Sequence, residues 1–268
     1  YVLDFVPPLT LVLARLIVGA LTLGPIAWLT GQPRVRRREL PFLALLGLVG
    51  LCLSMVAQFA GTRLSTAANG ALITSATPAF LLLFAWPILG ERLTLARLVG
   101  LGLASAGVAA TILLAGESVD LAGGSALLAG NALLVVAAVT WALYSALGRV
   151  AARRQPVLVV TLYATLFGAL FTGALVPLEL AASRLGPVPP LAWLGVIYLG
   201  VVSTAGAFYL WNKSIELLGA GLPAILFFAQ PVVGGLLGAL LLGERLGAPF
   251  FIGGALIGLA VLVTAREG

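Results

Sequence analysis

Residues 78–93 read PAFLLLFAWPILGERL, and residues 231–246 read PVVGGLLGALLLGERL. A shift of 153 residues, from position 78 to position 231, places the two leading prolines and the two Gly-Glu-Arg-Leu runs on each other. The same shift aligns further pairs: Ala76 with Ala229, Gly47 with Gly200 and Gly100 with Gly253. These matches predict an internal repeat that covers most of the chain.

The composition indicates that the solvent of this chain is lipid. The 268 residues are 61% hydrophobic and only 9% charged, and the mean hydropathy is +1.16. Soluble domains carry about 25% charged residues. With so few charges the surface of a folded chain would be mostly apolar, which predicts an all-α integral membrane protein.

Nine apolar segments are long enough to cross a bilayer as helices, which takes about 20 residues each. The predicted spans are residues 9–29, 40–60, 66–89, 95–115, 126–147, 157–178, 191–211, 220–242 and 249–265. Short connections between them carry nearly all the charge.

The basic residues in these connections predict the orientation, because cytoplasmic loops are rich in Lys and Arg. If the spans alternate, one side holds most of them: Arg34, Arg36, Arg37, Arg38, Arg92, Arg97, Arg149, Arg153, Arg154, Lys213 and Arg266. The opposite side holds Arg63, Arg184 and Arg245. We predict a multi-pass protein of a bacterial inner (plasma) membrane with a cytoplasmic C-terminus. Residues 34–38 could instead form a patch for lipid headgroups or regulation.

The two copies of the repeat, residues 1–115 and 126–266, differ in the number of predicted spans. The second copy contains five and the first only four, so we expect a further helix before Tyr1 and ten in the intact protein. Because five is odd, the second copy enters the membrane upside down relative to the first. An inverted repeat is an architecture of alternating-access transporters, which bind substrate near the midplane between the copies.

These features resemble the EamA family of the drug/metabolite transporter superfamily. The resemblance rests on the two Pro-to-Gly-Glu-Arg-Leu segments, on Arg15, on the run Trp141-Ala142-Leu143-Tyr144 and on Tyr209-Leu210-Trp211. It implies a ten-helix bundle, with nine spans visible here, made of two inverted five-helix repeats around a central cavity. It also implies export of small amphipathic metabolites, above all neutral and aromatic amino acids, by alternating access. The family's usual first helix, which often contributes a Trp to the cavity, is not seen in this sequence.

Two rival functions stay open beside amino-acid export. One is a broad-specificity drug or metabolite exporter. The other is a membrane-embedded lipid-modifying enzyme, which would need clustered acids, histidines or a basic headgroup site near one face. The acids are scattered and histidine is absent, so we predict a protein that is not an enzyme and has no catalytic residues.

The residue inventory also predicts which partners the protein lacks. Without histidine, and with Cys52 as the one cysteine, neither histidine-dependent zinc sites nor an internal disulfide can form. We therefore predict no metal and no cofactor. The net charge of +6 lies in short loops, so no nucleic acid is expected. The predicted partners are a small-molecule substrate and membrane lipid. We expect a monomer, and a GxxxG pattern at residues 254–258 leaves a homodimer open.

Candidate binding residues are those whose polarity or shape is unusual inside a span. Arg15 is the one charge well inside a span, either as the partner of a substrate carboxylate or as a structural arginine. Prolines free backbone carbonyls that can line a cavity, and polar side chains lie near two of them. This polar set is Asn69, Ser75, Thr77, Pro78, Gln230 and Pro231. The aromatic candidates are Phe80, Trp141, Tyr144, Tyr209, Trp211 and Phe227. Each could instead serve only helix packing.

The acidic residues bear on how transport is driven. All 9 Asp and Glu fall in predicted loops or at span ends. Since a proton-coupled carrier needs a buried ionisable group, we expect facilitated flux or exchange. For the Gly-Glu-Arg-Leu runs we predict a helix-end cap and a local ion pair.

Overall fold

A computed structural model describes residues 2–65, 67–114, 124–182, 186–230, 232–233, 236, 240 and 247–265. Within these ranges the regular structure is helical and no strand occurs, so the all-α prediction is confirmed. The helices, in chain order, are α1 (Val2–Phe5), α2 (Pro8–Leu29), α3 (Arg37–Leu64), α4 (Ala67–Thr74), α5 (Thr77–Leu89), α6 (Leu95–Leu114), α7 (Ser125–Ala152), α8 (Val157–Ala182), α9 (Pro190–Leu218), α10 (Gly221–Leu226) and α11 (Ala248–Ala265).

The long helices are suited to a membrane. In the described ranges, five helices are long and apolar enough to cross one, namely α2, α3, α7, α8 and α9. Three shorter apolar stretches are Thr77–Leu89, Leu95–Ala110 and Phe250–Thr264. Large side chains such as Leu21, Leu170 and Leu210 are more than 60% exposed, as expected where lipid is the solvent. The predicted number of nine spans stays a prediction.

Two of the long helices contain a π-helical segment at corresponding places. These segments are Gly47–Ser54 in α3 and Leu199–Ala207 in α9, and the shift of 153 residues relates Gly47 to Gly200. Each glycine faces another helix at very short range. A Cβ on Gly47 would lie 2.6 Å from Phe167 Cβ in α8, and one on Gly200 would lie 2.4 Å from Val18 Cβ in α2. The absent side chains therefore allow these close helix contacts.

The predicted span at residues 66–89 is not one continuous helix. It is interrupted between Thr74 and Thr77, and Pro78 lies in the first turn of α5, where its missing N–H costs nothing. A second interruption follows α10, at Phe227 and Phe228. Pro231, the repeat mate of Pro78, lies outside the described residues.

Helices α7 and α2 organise the packing of the bundle. Helix α7 packs against α3 and α5, whereas α2 packs against α8 and against the π-helical segment of α9. The largest buried cluster includes Leu16, Leu46, Leu51, Tyr144 and Val160, which come from four helices. Helices α6 and α11 pack closely on each other.

The first Gly-Glu-Arg-Leu run joins four helix ends. Gly90 ends α5 with a left-handed φ of 72°, a conformation that glycine adopts without strain. The Glu91 carboxylate pairs with Arg149 at the end of α7 and, at 3.1 Å, with Arg97. It also accepts a hydrogen bond from the Ala220 N–H, just before α10. The predicted helix-end cap is confirmed here, whereas the described ion pairs of Glu91 are with Arg97 and Arg149 on other helices and not with Arg92 of the run. The second run lies outside the described residues.

Candidate functional site

A cavity of about 280 Å³ lies among α2, α3, α7, α9 and the two helix interruptions. Along α3 it is lined near the C-terminal end, and along α7 and α9 it is lined near mid-length. The cavity therefore lies at the centre of the bundle and extends into one half of it. This half is opposite the face at which α5, α7 and α9 end. We call that face the arginine-rich face, because Arg92, Arg97, Arg149 and Arg153 lie there.

Arg15 supplies the one charged side chain among the described residues that line this cavity. The residue is only 5% exposed. Its Nε donates to Thr204 Oγ1 at 3.0 Å and its Nη2 donates to Ser203 Oγ at 2.8 Å. The guanidinium lies 5.6 Å from the ring centres of Phe59 and Phe208. No described acid pairs with it, so its charge is held by hydroxyls and aromatic faces.

The π-helical segment of α9 orients the hydroxyl that holds Arg15. Thr204 Oγ1 donates its own proton to the Leu199 carbonyl at 2.9 Å, five residues earlier. Because that proton is used within α9, the oxygen can only accept from Arg15. The irregular helix thus fixes one partner of the guanidinium, as π-helical turns often do at functional sites.

The remaining polar lining residues are uncharged. They are Gln58, Thr62, Thr74, Thr77, Ser203 and Gln230. Thr74 donates to the Gly70 carbonyl at 2.7 Å. No carboxylate lines the cavity in the described part of the chain. The cavity can therefore bind an anionic group of a ligand next to Arg15. The oxygens of its uncharged side chains can accept hydrogen bonds from donor groups of the same ligand.

An aromatic layer separates the cavity from the arginine-rich face. Trp141 lines the cavity, with ring centres 4.9 Å from Phe208, 5.2 Å from Tyr144 and 6.5 Å from Trp211. Trp211 in turn lies 5.5 Å from Phe227, another lining residue. The Trp141 Nε1 is buried and has no hydrogen-bond partner among the described residues. A buried unpartnered donor is unusual, and an acceptor bound in the cavity would satisfy it.

Five of the candidate residues from the sequence line this cavity, and seven lie elsewhere. The five are Arg15, Thr77, Trp141, Phe227 and Gln230. Pro231 lies outside the described residues.

Tyr144 and Trp211 lie one layer behind the cavity wall. Tyr144 is fully buried, and its ring packs so closely on Gly50 that a Cβ there would lie 2.3 Å from it. Its Oη accepts a hydrogen bond from Asn212. The Trp211 Nε1 donates to Ser145 Oγ at 2.9 Å. Both polar atoms are thus used within the protein.

The other candidates outside the lining have packing or surface positions. Asn69 is buried and donates to Asn131 at 3.2 Å. Phe80 packs on an apolar cluster between α5 and α7, and Pro78 starts α5. Ser75 lies in the interruption before α5, and Tyr209 lines a different groove near the arginine-rich face.

Several lining residues were missed in the sequence. Met55, Gln58, Phe59 and Thr62 of α3 line the cavity. Their spacing of three and four residues places them on one helical face. A polar Gln and Thr on one face of an apolar span is a signal that could have identified this wall.

Comparisons with known proteins agree with this architecture. The profile of the EamA-like transporter family matches residues 1–113 and 128–266. The chain is 30% identical over 245 residues to a Streptantibioticus cattleyicolor protein named "Probable terminal-alkyne amino-acid exporter", covering 91% of this chain and 79% of that protein. It is 26% identical over 234 residues to the Bacillus subtilis transporter YetK, covering 87% of this chain and 70% of YetK.

A solved crystal structure shares the fold, with a TM-score of 0.84 at 23% identity, over 98% of this chain and 90% of that one. The named relatives are transporters rather than enzymes. The matched residues cover nearly the whole chain, which therefore belongs to the EamA-like transporter family and is a membrane transporter.

Proposed function

We propose that the protein exports neutral amino acids, with a preference for aromatic or other apolar side chains, by alternating access. The observation that carries this proposal is Arg15, a buried guanidinium in the wall of a central cavity with no acid beside it in the described structure. The substrate carboxylate would supply the missing negative charge.

The cost of burying Arg15 supports a role in binding. An arginine at the centre of a membrane helix costs about 2.5 to 3.5 kcal/mol on insertion scales. Two hydroxyl partners use only two of its five N–H donors. A carboxylate in the cavity could accept from the others in a charge-assisted hydrogen bond, and the unpartnered Trp141 Nε1 offers a further donor.

The rest of the cavity suits an amino acid. Its volume of about 280 Å³ lies just under the range of about 300 to 1,000 Å³ typical for drug-sized ligands. Trp141 and Phe59 offer apolar faces to a substrate side chain. The oxygens of Gln230 and Thr77 could accept from the ammonium group. The relative named as an amino-acid exporter supports the same class of cargo.

We further propose that residues 1–115 and 126–266 are inverted repeats of five helices each, with ten helices around the cavity. The corresponding π-helical segments and the interruptions at residues 75–76 and 227–228 support this, as do the two separate matches to the family profile. The aromatic layer and the Glu91–Arg149 pair lie on one side of the cavity. They would form the closed gate of one state and separate in the other.

The orientation follows from the distribution of charge. The arginine-rich face would be cytoplasmic in a bacterial inner membrane, together with the C-terminus. The cavity then lies in the outer half of the bundle, and release to the outside would complete an export cycle.

Counterflow in proteoliposomes tests the proposal. Vesicles loaded with unlabelled L-phenylalanine should accumulate labelled L-phenylalanine, and other neutral amino acids, including a terminal-alkyne amino acid, should compete. Phenethylamine, which lacks the carboxylate, and the cationic drug ethidium should not. If ethidium competes as well as phenylalanine, the broad-specificity exporter is the better account.

A further inference from the structure

The arginine-rich face carries a second concavity, far from the central cavity. It has a volume of about 680 Å³ and lies between the α2–α3 connection and the α7–α8 connection. Arg34, Arg36 and Arg38 come from the first connection and the start of α3, and Arg154 comes from the second. We call it the arginine pocket.

The arginine pocket has an excess of positive charge. Four arginines and one carboxylate, Glu39, line it. Glu39 pairs loosely, at 3.7 Å with Arg38 and at 3.8 Å with Arg154. Both distances exceed a normal hydrogen bond. Arg34 and Arg36 make no ion pair within the described ranges. The pocket therefore has charge and donors available for an anion.

Arginines from two connections suit a phosphate group. The guanidinium fork binds phosphate oxygens with two parallel hydrogen bonds and stays charged at every physiological pH. The connections lie where the helices end, which is the depth of lipid headgroups in a protein that spans the bilayer. Basic pockets of this kind at a membrane face are suited to anionic lipid headgroups.

A groove continues from the arginine pocket along the bundle, polar near the pocket and apolar farther in. It has a volume of about 660 Å³ and runs between α2, α8 and α9, with Ile26, Leu158 and Val201 in its apolar walls and the Lys213–Glu216 ion pair near the arginine-rich face. Pro156 lines both the groove and the pocket. Positive charge at the membrane surface suits the phosphate of a phospholipid. The apolar part of the groove, which leads into the membrane, suits one of its acyl chains.

We propose that this face binds one anionic glycerophospholipid, with its phosphate in the arginine pocket and an acyl chain in the groove. A lipid-binding site differs from a signal that only sets the orientation of the protein in the membrane. For orientation, only the number of basic residues in the connections matters. A binding site requires particular arginines to converge. Arg37, the first residue of α3, and Arg153, directly after α7, belong to the same two regions but do not line the pocket. The two explanations therefore predict different effects of substitution.

Native mass spectrometry of the purified protein, titrated with phosphatidylglycerol or phosphatidylcholine, tests the site. Wild type should retain one phosphatidylglycerol and release phosphatidylcholine. The double variant Arg34→Gln, Arg154→Gln should bind phosphatidylglycerol about thirtyfold more weakly, since each arginine near an anionic surface contributes about a factor of five. The matched control Arg37→Gln, Arg153→Gln should bind as wild type does. Equal loss in both double variants, or no loss in either, would overturn the site.

Two further arms separate a lipid from free phosphate. Inorganic phosphate should fail to displace phosphatidylglycerol, and Val201→Trp, which fills the groove at a position 39% exposed, should weaken lipid binding. Complete displacement by inorganic phosphate would assign the pocket to a soluble anion. Unchanged affinity in Val201→Trp would overturn the acyl chain in the groove.

Discussion

Glu91, directly after α5, forms an ion pair with Arg149 in the last turn of α7. The same carboxylate accepts from the Ala220 N–H at 3.0 Å and from Arg97 Nη1 at 3.1 Å. Four segments of the chain thus meet at one side chain on the arginine-rich face. The carboxylate is 15% exposed and Arg149 is 22% exposed, so solvent screens the pair only in part.

Glu91→Gln should therefore lower stability without changing cargo preference. Losing the charge leaves two partly buried arginines without their counter-ion, which costs about 1 to 3 kcal/mol. Thermal unfolding in detergent should show a Tm several degrees lower. Glu216→Gln is the matched control, because its pair with Lys213 lies three residues along one helix and an exposed pair of this kind contributes little to stability. A changed order of amino-acid preference at an unchanged Tm would place Glu91 in substrate binding instead.

Gln230→Leu should weaken substrate binding in a folded protein. Gln230 borders the cavity at its second helix interruption, and one lost polar contact is worth about 1 kcal/mol. Isothermal titration with L-phenylalanine should show a several-fold rise in Kd. Gln155→Leu, on the arginine-rich face, should bind as wild type does. Unaltered transport of several amino acids by Gln230→Leu would remove this residue from the site.

Gly47→Ala and Gly200→Ala should each destabilise the protein. A Cβ would meet Phe167 or Val18 at less than 3 Å, so the π-helical segments would have to move away from α8 and α2. Overpacking of this kind costs about 1 to 3 kcal/mol. Gly102→Ala is the control, since nothing lies within 4 Å of its Cβ position. Wild-type Tm values for all three variants would contradict the close packing.

Flux should respond little to an imposed pH gradient. The described lining of the cavity contains no carboxylate and the chain contains no histidine, so a proton has no evident binding group there. Counterflow with and without a pH gradient, corrected for substrate protonation, measures this. Strong proton-driven accumulation that is lost when one acid, such as Glu179, is neutralised would contradict it.

The sequence predicts the apolar spans, with residues 66–89 as one of them, and contains a signal for the interruption found there, but it does not predict the π-helical segments. Apolar length fixes the helices, and the missing N–H of Pro78 predicts a helix start near that position. The π-helical segments follow from tertiary contacts of Gly47 and Gly200. The repeat aligns Gly47 with Gly200, but nothing in the sequence shows that each packs directly against another helix.

The sequence shows which residue types belong to the candidate site more reliably than it shows which of them reach the cavity. Arg15 is noticeable because charge inside a span is rare. Tyr144 is three residues from Trp141 and shares its face, yet it lies one turn nearer the arginine-rich face, where Gly50 lets it pack. Depth along a helix axis cannot be read from face periodicity, and this is why Trp141 reaches the cavity and Tyr144 does not.

The central claim is that Arg15 binds the substrate carboxylate. A thermodynamic cycle of two proteins and two ligands tests it. The Kd values of L-phenylalanine and phenethylamine are measured for wild type and for Arg15→Gln. The coupling energy isolates the contact between guanidinium and carboxylate. Arg15→Lys, which keeps the charge, serves as a second variant, and Tm values verify that each protein is folded.

We predict that wild type binds phenylalanine about tenfold to a hundredfold more tightly than phenethylamine, the range expected for a hydrogen bond between charged groups. Arg15→Gln should lose that preference and Arg15→Lys should keep part of it. If Arg15→Gln instead weakens the binding of both ligands equally, or of neither, then Arg15 is a structural residue and the account of substrate binding is wrong.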